Sequence, residues 1–177
     1  MSRFFFLLVT VVFLFSCTND LKKIQHVTVK NTDPNERVQD LNLVFTDSGY
    51  AKIRLYAKLA ETYYEPKNVT KLKDSLCVFF YDQHGKVETI LTGHYGEYYP
   101  NDNKIIVQNQ VVLQKPITKE RMETEELIWN QSDSSIYSNR LVTVTTPNGK
   151  FYGDGIKSKQ DFSSYEFLRP RGKISSE

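Results

Sequence analysis

LTGHYGEYYPNDNKIIVQNQVVLQ, Leu91 to Gln114, is the stretch on which the fold turns. Two glycines, a histidine, a glutamate and three tyrosines precede alternating apolar residues, so it reads as a catalytic loop beside a strand or as one copy of a repeat. Laid over LYAKLAETYY (Leu55–Tyr64) at an offset of 36, it pairs Leu55 with Leu91, Ala57 with Gly93, Ala60 with Gly96, Glu61 with Glu97 and Tyr63 with Tyr99. At an offset of 31, Tyr98 matches Trp129, Asp102 matches Asp133 and Ile105 matches Ile136, while Val111 and Leu113 match Val142 and Val144. A fainter copy at an offset of 29 pairs Leu127 with Ile156 and Ile136 with Tyr165. Each unit is a strand, an Asn/Asp/Ser turn, a strand and a polar gap. Repeats of this length mean stacked supersecondary units that bury a shared apolar face. Residues that recur in successive units do not make a single active site. Gly93 and Gly96 stand where Ala57 and Ala60 stand, so these positions require smallness, which leaves room for close sheet packing or for a ligand.

Outward from this stretch the chain reads as β throughout. Tyr and Phe number 11 each, and Val, Ile and Thr are frequent, a composition suited to pleated, half-buried surfaces. AKIRLYAKL turns Ala51, Ile53, Leu55, Ala57 and Leu59 one way and Lys52, Arg54 and Lys58 the other. SLCVFFY and KVETIL flank Asp82-Gln83-His84-Gly85 as a hairpin. KIIVQ, QVVLQ, ELIWN, SIYSN, LVTVT, KFYGDGIKS and SYEFL read as further separate strands, and no stretch has helical periodicity. Alternation places Gly96, Tyr98, Ile105, Val107, Val111, Leu113, Leu127, Trp129, Ile136, Val142 and Val144 on one face. The other face takes Glu97, Lys104, Gln108, Glu126, Asn130 and Arg140, with Ile106 and Ile128 as exceptions. A sheet apolar on one side needs a second apolar surface, either a partner sheet or an acyl chain.

Several chemistries are disfavoured. A net charge of +2, without basic clusters, argues against nucleic-acid binding. His26, His84 and His94 have no HxH or HExxH spacing, so no metal site is expected. Ser134-Ser135 and Ser163-Ser164 lack a GxSxG context, and Glu125-Glu126 are read as facing opposite sides of a strand. There is no phosphate-cradling GxxxxGK[ST] loop. Tyr63-Tyr64 and Tyr98-Tyr99 could stack on a sugar, but core packing is the commoner use. Glu97 is read as solvated, His94 as incidental and Cys77 as a small buried hydrophobe. Neither an enzyme nor a cofactor is expected.

The N-terminus reads as a targeting segment. Arg3 supplies the positive region, and the apolar run Phe4–Phe15 is shorter than the roughly 18–20 residues a membrane-spanning helix needs. Leu14-Phe15-Ser16-Cys17 resembles a bacterial lipobox, which would make Cys17 the lipidated first residue of the mature chain. The alternative is a plain secretion signal or a marginal membrane helix ending by chance at cysteine. Residues 18–42 read as a polar tether, with a short strand at Gln25–Val29, and residues 43–177 as the folded domain.

Four features together resemble the LptC family. They are Glu125-Glu126-Leu127 before a strand, Asp133 through Ile136-Tyr137-Ser138, Val142-x-Val144, and Gly153-x-Gly155-Ile156. No one of them is specific; their order and spacing with the N-terminal anchor carry the likeness, over roughly Leu43 to Ile174. The resemblance implies a twisted, slot-shaped antiparallel β-jelly roll, open at both edges, whose lumen holds lipopolysaccharide acyl chains. It implies two protein partners, an inner-membrane export ABC transporter and a periplasmic bridge protein of the same fold. Many relatives carry a spanning helix where this chain carries Cys17, which leaves sorting to the outer membrane open. The lumen-facing residues above, with Ile53, Leu55 and Ile156, become candidate lipid contacts. The bridge protein is expected at the C-terminal edge around Tyr165 and Phe167, and the transporter nearer the N-terminal strands. Against this stands a lipid-anchored β-sandwich scaffold or adhesion module. Transport predicts an apolar groove open to solvent, and the scaffold predicts a closed core.

Overall fold

The computed structural model describes residues 32–174, with side chains through Gly172. The chain divides into two units, Met1–Asp33 and Pro34–Glu177, and the strands of the described residues lie in the second. The targeting segment with Cys17, and the strand expected at Gln25–Val29, lie outside the described residues. Among the described residues eleven strands are formed: β1 (Glu36–Asp47), β2 (Tyr50–Tyr63), β3 (Val69–Tyr81), β4 (Val87–Gly93), β5 (Tyr95–Tyr99), β6 (Lys104–Lys115), β7 (Glu120–Asn130), β8 (Ser135–Thr146), β9 (Gly149–Lys159), β10 (Tyr165–Phe167) and β11 (Pro170–Ile174). All belong to one antiparallel sheet ordered β1-β2-β3-β4-β6-β7-β8-β9-β10, with β5 between β3 and β6 and β11 also on β9. The all-β jelly-roll reading holds. Among the described residues no helix is long and apolar enough to cross a membrane.

The sequence repeat is the β-hairpin. Residues related by the overlays stand in one cross-strand row, two strands apart. Ala57 and Gly93 flank Leu76, and Ala60 and Gly96 flank Leu72. Ile105 and Ile136 flank Trp129, Val111 and Val142 flank Thr124, and Leu113 and Val144 flank Met122. The faintest overlay does the same, since Ile136 and Tyr165 flank Ser158. The small positions have a steric cause. A Cβ on Gly93 would lie 2.5 Å from Val107 Cγ1, and one on Gly96 would lie 2.7 Å from Leu76 Cδ2.

A second regularity was hidden in the sequence. The long strands carry an irregularity at about the same level, which forms a seam across the sheet. In β1 it is Asp40, and in β3 Asp74 and Ser75. Asn109 and Gln110 carry it in β6 and Gly155 in β9, all of these residues having positive φ. Register shifts mark it at Ala57/Leu59 in β2, Thr124/Ile128 in β7 and Ser138/Leu141 in β8. Asn and Asp tolerate the left-handed region because their short polar side chains bond locally, and bulges re-aim the side chains that follow. The seam keeps both halves of each strand apolar on the same side. Ala57 and Ala60 are both buried although three residues apart. Leu59, expected on the apolar face, instead pairs with Lys73 on the outer one. KIIVQ and QVVLQ, read as two strands, are one strand bent at Asn109-Gln110, and SIYSN and LVTVT are likewise one.

Backbone groups freed at the seam find partners, as buried polar groups must. Ser75 N donates to the His94 carbonyl and His94 N to the Asn109 carbonyl, both at 3.1 Å. Buried Thr124 bonds Ser138 Oγ at 3.1 Å and donates to the Leu141 carbonyl at 3.0 Å, while Ser138 Oγ accepts from Arg140 N at 3.1 Å. The bulge in β7 also leaves both Glu125 and Glu126 outside the core rather than on opposite faces. The domain starts earlier than expected: β1 begins at Glu36, within the stretch read as a tether. Its residues are exposed on both sides, so the edge strand carries no alternation to betray it.

Candidate functional site

The structure brings the candidate lipid contacts onto one surface. Leu55, Ile105, Val107, Val111, Leu113, Leu127, Trp129, Ile136, Val142, Val144 and Ile156 belong to a single buried cluster. Ile53 and Tyr98 pack against it half-buried, and Gly96 lies beneath Leu72 and Leu76. The sheet curls so that its own faces meet: Phe80 of β3 lies edge-on to Trp129 of β7, ring centroids 5.2 Å apart.

This interior is filled by its own side chains rather than open as a groove. Leu91, Leu113, Leu127, Val142 and Val144 are all 0% exposed. Apolar surface taken from water contributes about 25 cal/mol per Å², which favours the two faces packing on each other. A groove does lie along the seam, and the core members Ala57, Leu76 and Val111 line part of it. Tyr56, Cys77, Thr92, Val112, Glu123 and Thr143 form a cross-strand row next to the seam and line the same groove, of ≈ 1080 Å³. Cys77 is a free thiol there, pushed up by burial and so poorly nucleophilic.

Two carboxylates on the outer face escaped the sequence reading. Glu61 is only 3% exposed. It takes Lys73 Nζ and Arg37 Nη2 each at 2.6 Å and the Tyr63 hydroxyl at 3.1 Å. Lys73, with Arg37 and Tyr63, holds its carboxyl at about 2 against the opposing effect of burial. Glu97, its counterpart in the repeat, is not simply solvated. It accepts the Tyr95 hydroxyl at 2.6 Å and the Tyr99 hydroxyl at 2.5 Å. Burial works to raise Glu97, but these hydroxyls, with Lys71 and Lys67 nearby, hold it below the usual carboxylate range. The bond to Glu97, together with burial, pushes Tyr99 up to about 12. Arg37, Glu61, Lys71 and Glu97 form one cross-strand row of alternating charge. The available signal was Glu-x-Tyr in both units, which sets acid and hydroxyl on one side of a strand.

The two ends of the sheet differ. β1 presents an edge of twelve residues, with Val38, Leu43, Val44 and Phe45 exposed and no strand beyond it among the described residues. At the other end Tyr165 and Phe167 lie on the terminal strand β10, half-buried with their rings packed against the core. Tyr165 stacks on Phe162 at 4.9 Å, and Phe167 sits over Gly153, where a Cβ would come within 2.4 Å of its ring. His94 bonds Gln110 across the seam at 3.2 Å and is exposed. Among the described residues no three His, Cys, Asp or Glu side chains gather as a metal site would require.

No individual curated protein matches the chain at a significant level. The family model described as "Lipopolysaccharide-assembly, LptC-related" matches residues 4–169. That match covers nearly the whole chain and agrees with the antiparallel sheet and its continuous apolar face. The chain therefore belongs to the LptC family, a transport component of lipopolysaccharide assembly at the cell envelope.

Proposed function

We propose that the chain binds the acyl chains of lipopolysaccharide on its inner apolar face and passes them from the inner-membrane ABC transporter to a periplasmic bridge protein. A lipid on Cys17 holds it at the periplasmic face of the inner membrane. The observation that carries this reading is the apolar cluster shared by β2 through β9, within a sheet whose β1 edge has no further strand among the described residues. Each acyl CH₂ removed from water contributes about 0.8 kcal/mol, so a few chains bind firmly without a charged contact. The packed faces must part for this, and a single sheet whose two ends are not paired to each other among the described residues can open without breaking its own ladder. Free edges also accept strands from another chain. The transporter meets the β1 end and the bridge protein the β9–β10 end. Transport of this kind asks no catalytic group of this chain.

One observation favours a second reading. The fully buried interior suits a scaffold or adhesion module with a closed core. Photo-crosslinking in cells from positions 127, 129 and 142 separates the two. Transport predicts lipopolysaccharide adducts at these sites and none at exposed controls such as Lys58. Adducts that are absent, or equal to the controls, leave the scaffold reading. Leu127→Arg and Val142→Asp, if folded, should lose lipid binding and weaken the outer membrane.

A further inference from the structure

The turn between β9 and β10 does more than connect two strands. Its Phe162 is 2% exposed inside the core, although the residue adopts φ 55°, a left-handed conformation costly for a bulky side chain. Two distant strands hold the turn in place. Thr89 Oγ1 of β4 donates to the Asp161 carbonyl at 3.2 Å, and Trp129 Nε1 of β7 donates to Gln160 Oε1 at 3.1 Å. Tyr165 stacks on Phe162 with 9° between the rings, and Phe167 meets Tyr165 edge-on at 5.9 Å. β9 is shaped to seat this segment. A Cβ on Gly153 would strike the Phe167 ring, and one on Gly155 would lie 2.8 Å from Leu168 Cδ1.

The attachment is slight by comparison with what it covers. β10 has three residues, and the turn is otherwise tied by single backbone bonds such as Gln160 N to the Ser134 carbonyl at 2.9 Å. An aromatic row therefore covers part of the apolar interior from a segment whose only ladder among the described residues is the three-residue pairing of β10 with β9. Such a row buries on the order of 150–250 Å² per ring and presents to the core the kind of surface that an alkyl chain presents.

We propose that Gln160–Leu168 is a displaceable plug: Phe162, backed by Tyr165 and Phe167, occupies space that a lipid acyl chain takes over when it binds. The inference rests on the lipid-carrying reading above and names what must move first. The bonds from Thr89 and Trp129 act as latches, set on β4 and β7, the strands on either side of β6 in the sheet. Strain at Phe162 favours release once an acyl chain can replace the ring's contacts.

Trp129 is the chain's single tryptophan and one of the latches, so its emission follows lipid entry, while the Phe162 amide follows the plug itself. The test uses the full-length chain in amphipol, titrated with purified lipopolysaccharide, with lauric acid as a single-chain probe. Binding should change Trp129 emission and remove the hydrogen-exchange protection of the Phe162 amide. If the plug is closed most of the time, apparent affinity is reduced by the open fraction, so Phe162→Ala should bind about tenfold more tightly. Gln160→Ala and Thr89→Val leave the core volume nearly intact and should speed association about fivefold by the same population argument. They decide the matter if Phe162→Ala does not fold. Lipopolysaccharide bound by every variant at the wild-type rate and affinity, with the Phe162 amide still protected, overturns the plug and leaves the transport reading standing. Failure of the wild type and all variants to bind either probe overturns both.

Discussion

Glu61 is the residue at which fold and charge meet most closely. It ties the edge strand β1, through Arg37, to β3, through Lys73. Hydrogen bonds to a buried charge are worth roughly 1.5–3 kcal/mol each, but Arg37 is well exposed, which screens its share. Glu61→Gln should cost about 2 kcal/mol in urea unfolding at pH 7. The carboxyl lies at about 2 in the fold against an ordinary 4.5. The folded form thus holds its proton less tightly than the unfolded one. Its contribution is complete above the ordinary value and disappears as pH falls towards the folded one. The gap between wild type and Glu61→Gln should therefore be constant from pH 7 to about 5 and close on acidification from there towards about 2. A gap that does not change with pH would show the carboxylate's charge to be irrelevant. The sequence presented Glu61 and Glu97 as repeat partners but not as buried ones, because their burial depends on residues of neighbouring strands.

At the scale of elements the seam sets how long the strands are and which way they face. Residues such as Asn109 (φ 66°) take a backbone region that β-branched side chains avoid. Asn109→Ile should destabilise by about 1–3 kcal/mol, whereas Asn109→Gly should be neutral or slightly favourable. Paired thermal melts check this; equal effects from the two substitutions would mean that backbone conformation does not matter there. Asn109-Gln110 and Asn139-Arg140 look like turns in the sequence, since polar residues between apolar runs are the usual mark of a reversal. They prove to be bulges within continuous strands because the neighbouring strands are bulged at the same level. β1 was missed from the opposite cause: an edge strand exposed on both faces has no period-two pattern.

At the scale of the whole molecule, anchor and domain make separate predictions. Intact-mass analysis of membrane-extracted protein should show a chain beginning at Cys17 with two or three acyl groups. Cys17→Ser should retain the leader or appear unlipidated in the soluble fraction. A wild-type chain starting at Met1 with no lipid would remove the anchor from the proposal. Within the domain, most of the apolar face was legible, with Leu59 turned outward by the seam as an exception, since alternation and the overlays at 36 and 31 depend only on local periodicity and hairpin length. The class of fold, the hairpin repeat and the inward set from Leu55 to Ile156 were thus determined by the sequence alone. Tertiary structure decided what that set faces. Whether the faces stand apart or pack together depends on how far the sheet curls, and local pattern carries no information about curl. The same holds for the plug. Phe162 lies in a polar turn where an aromatic residue signals nothing, and only the bonds that β4 and β7 make to Asp161 and Gln160 beside it hold it in the core.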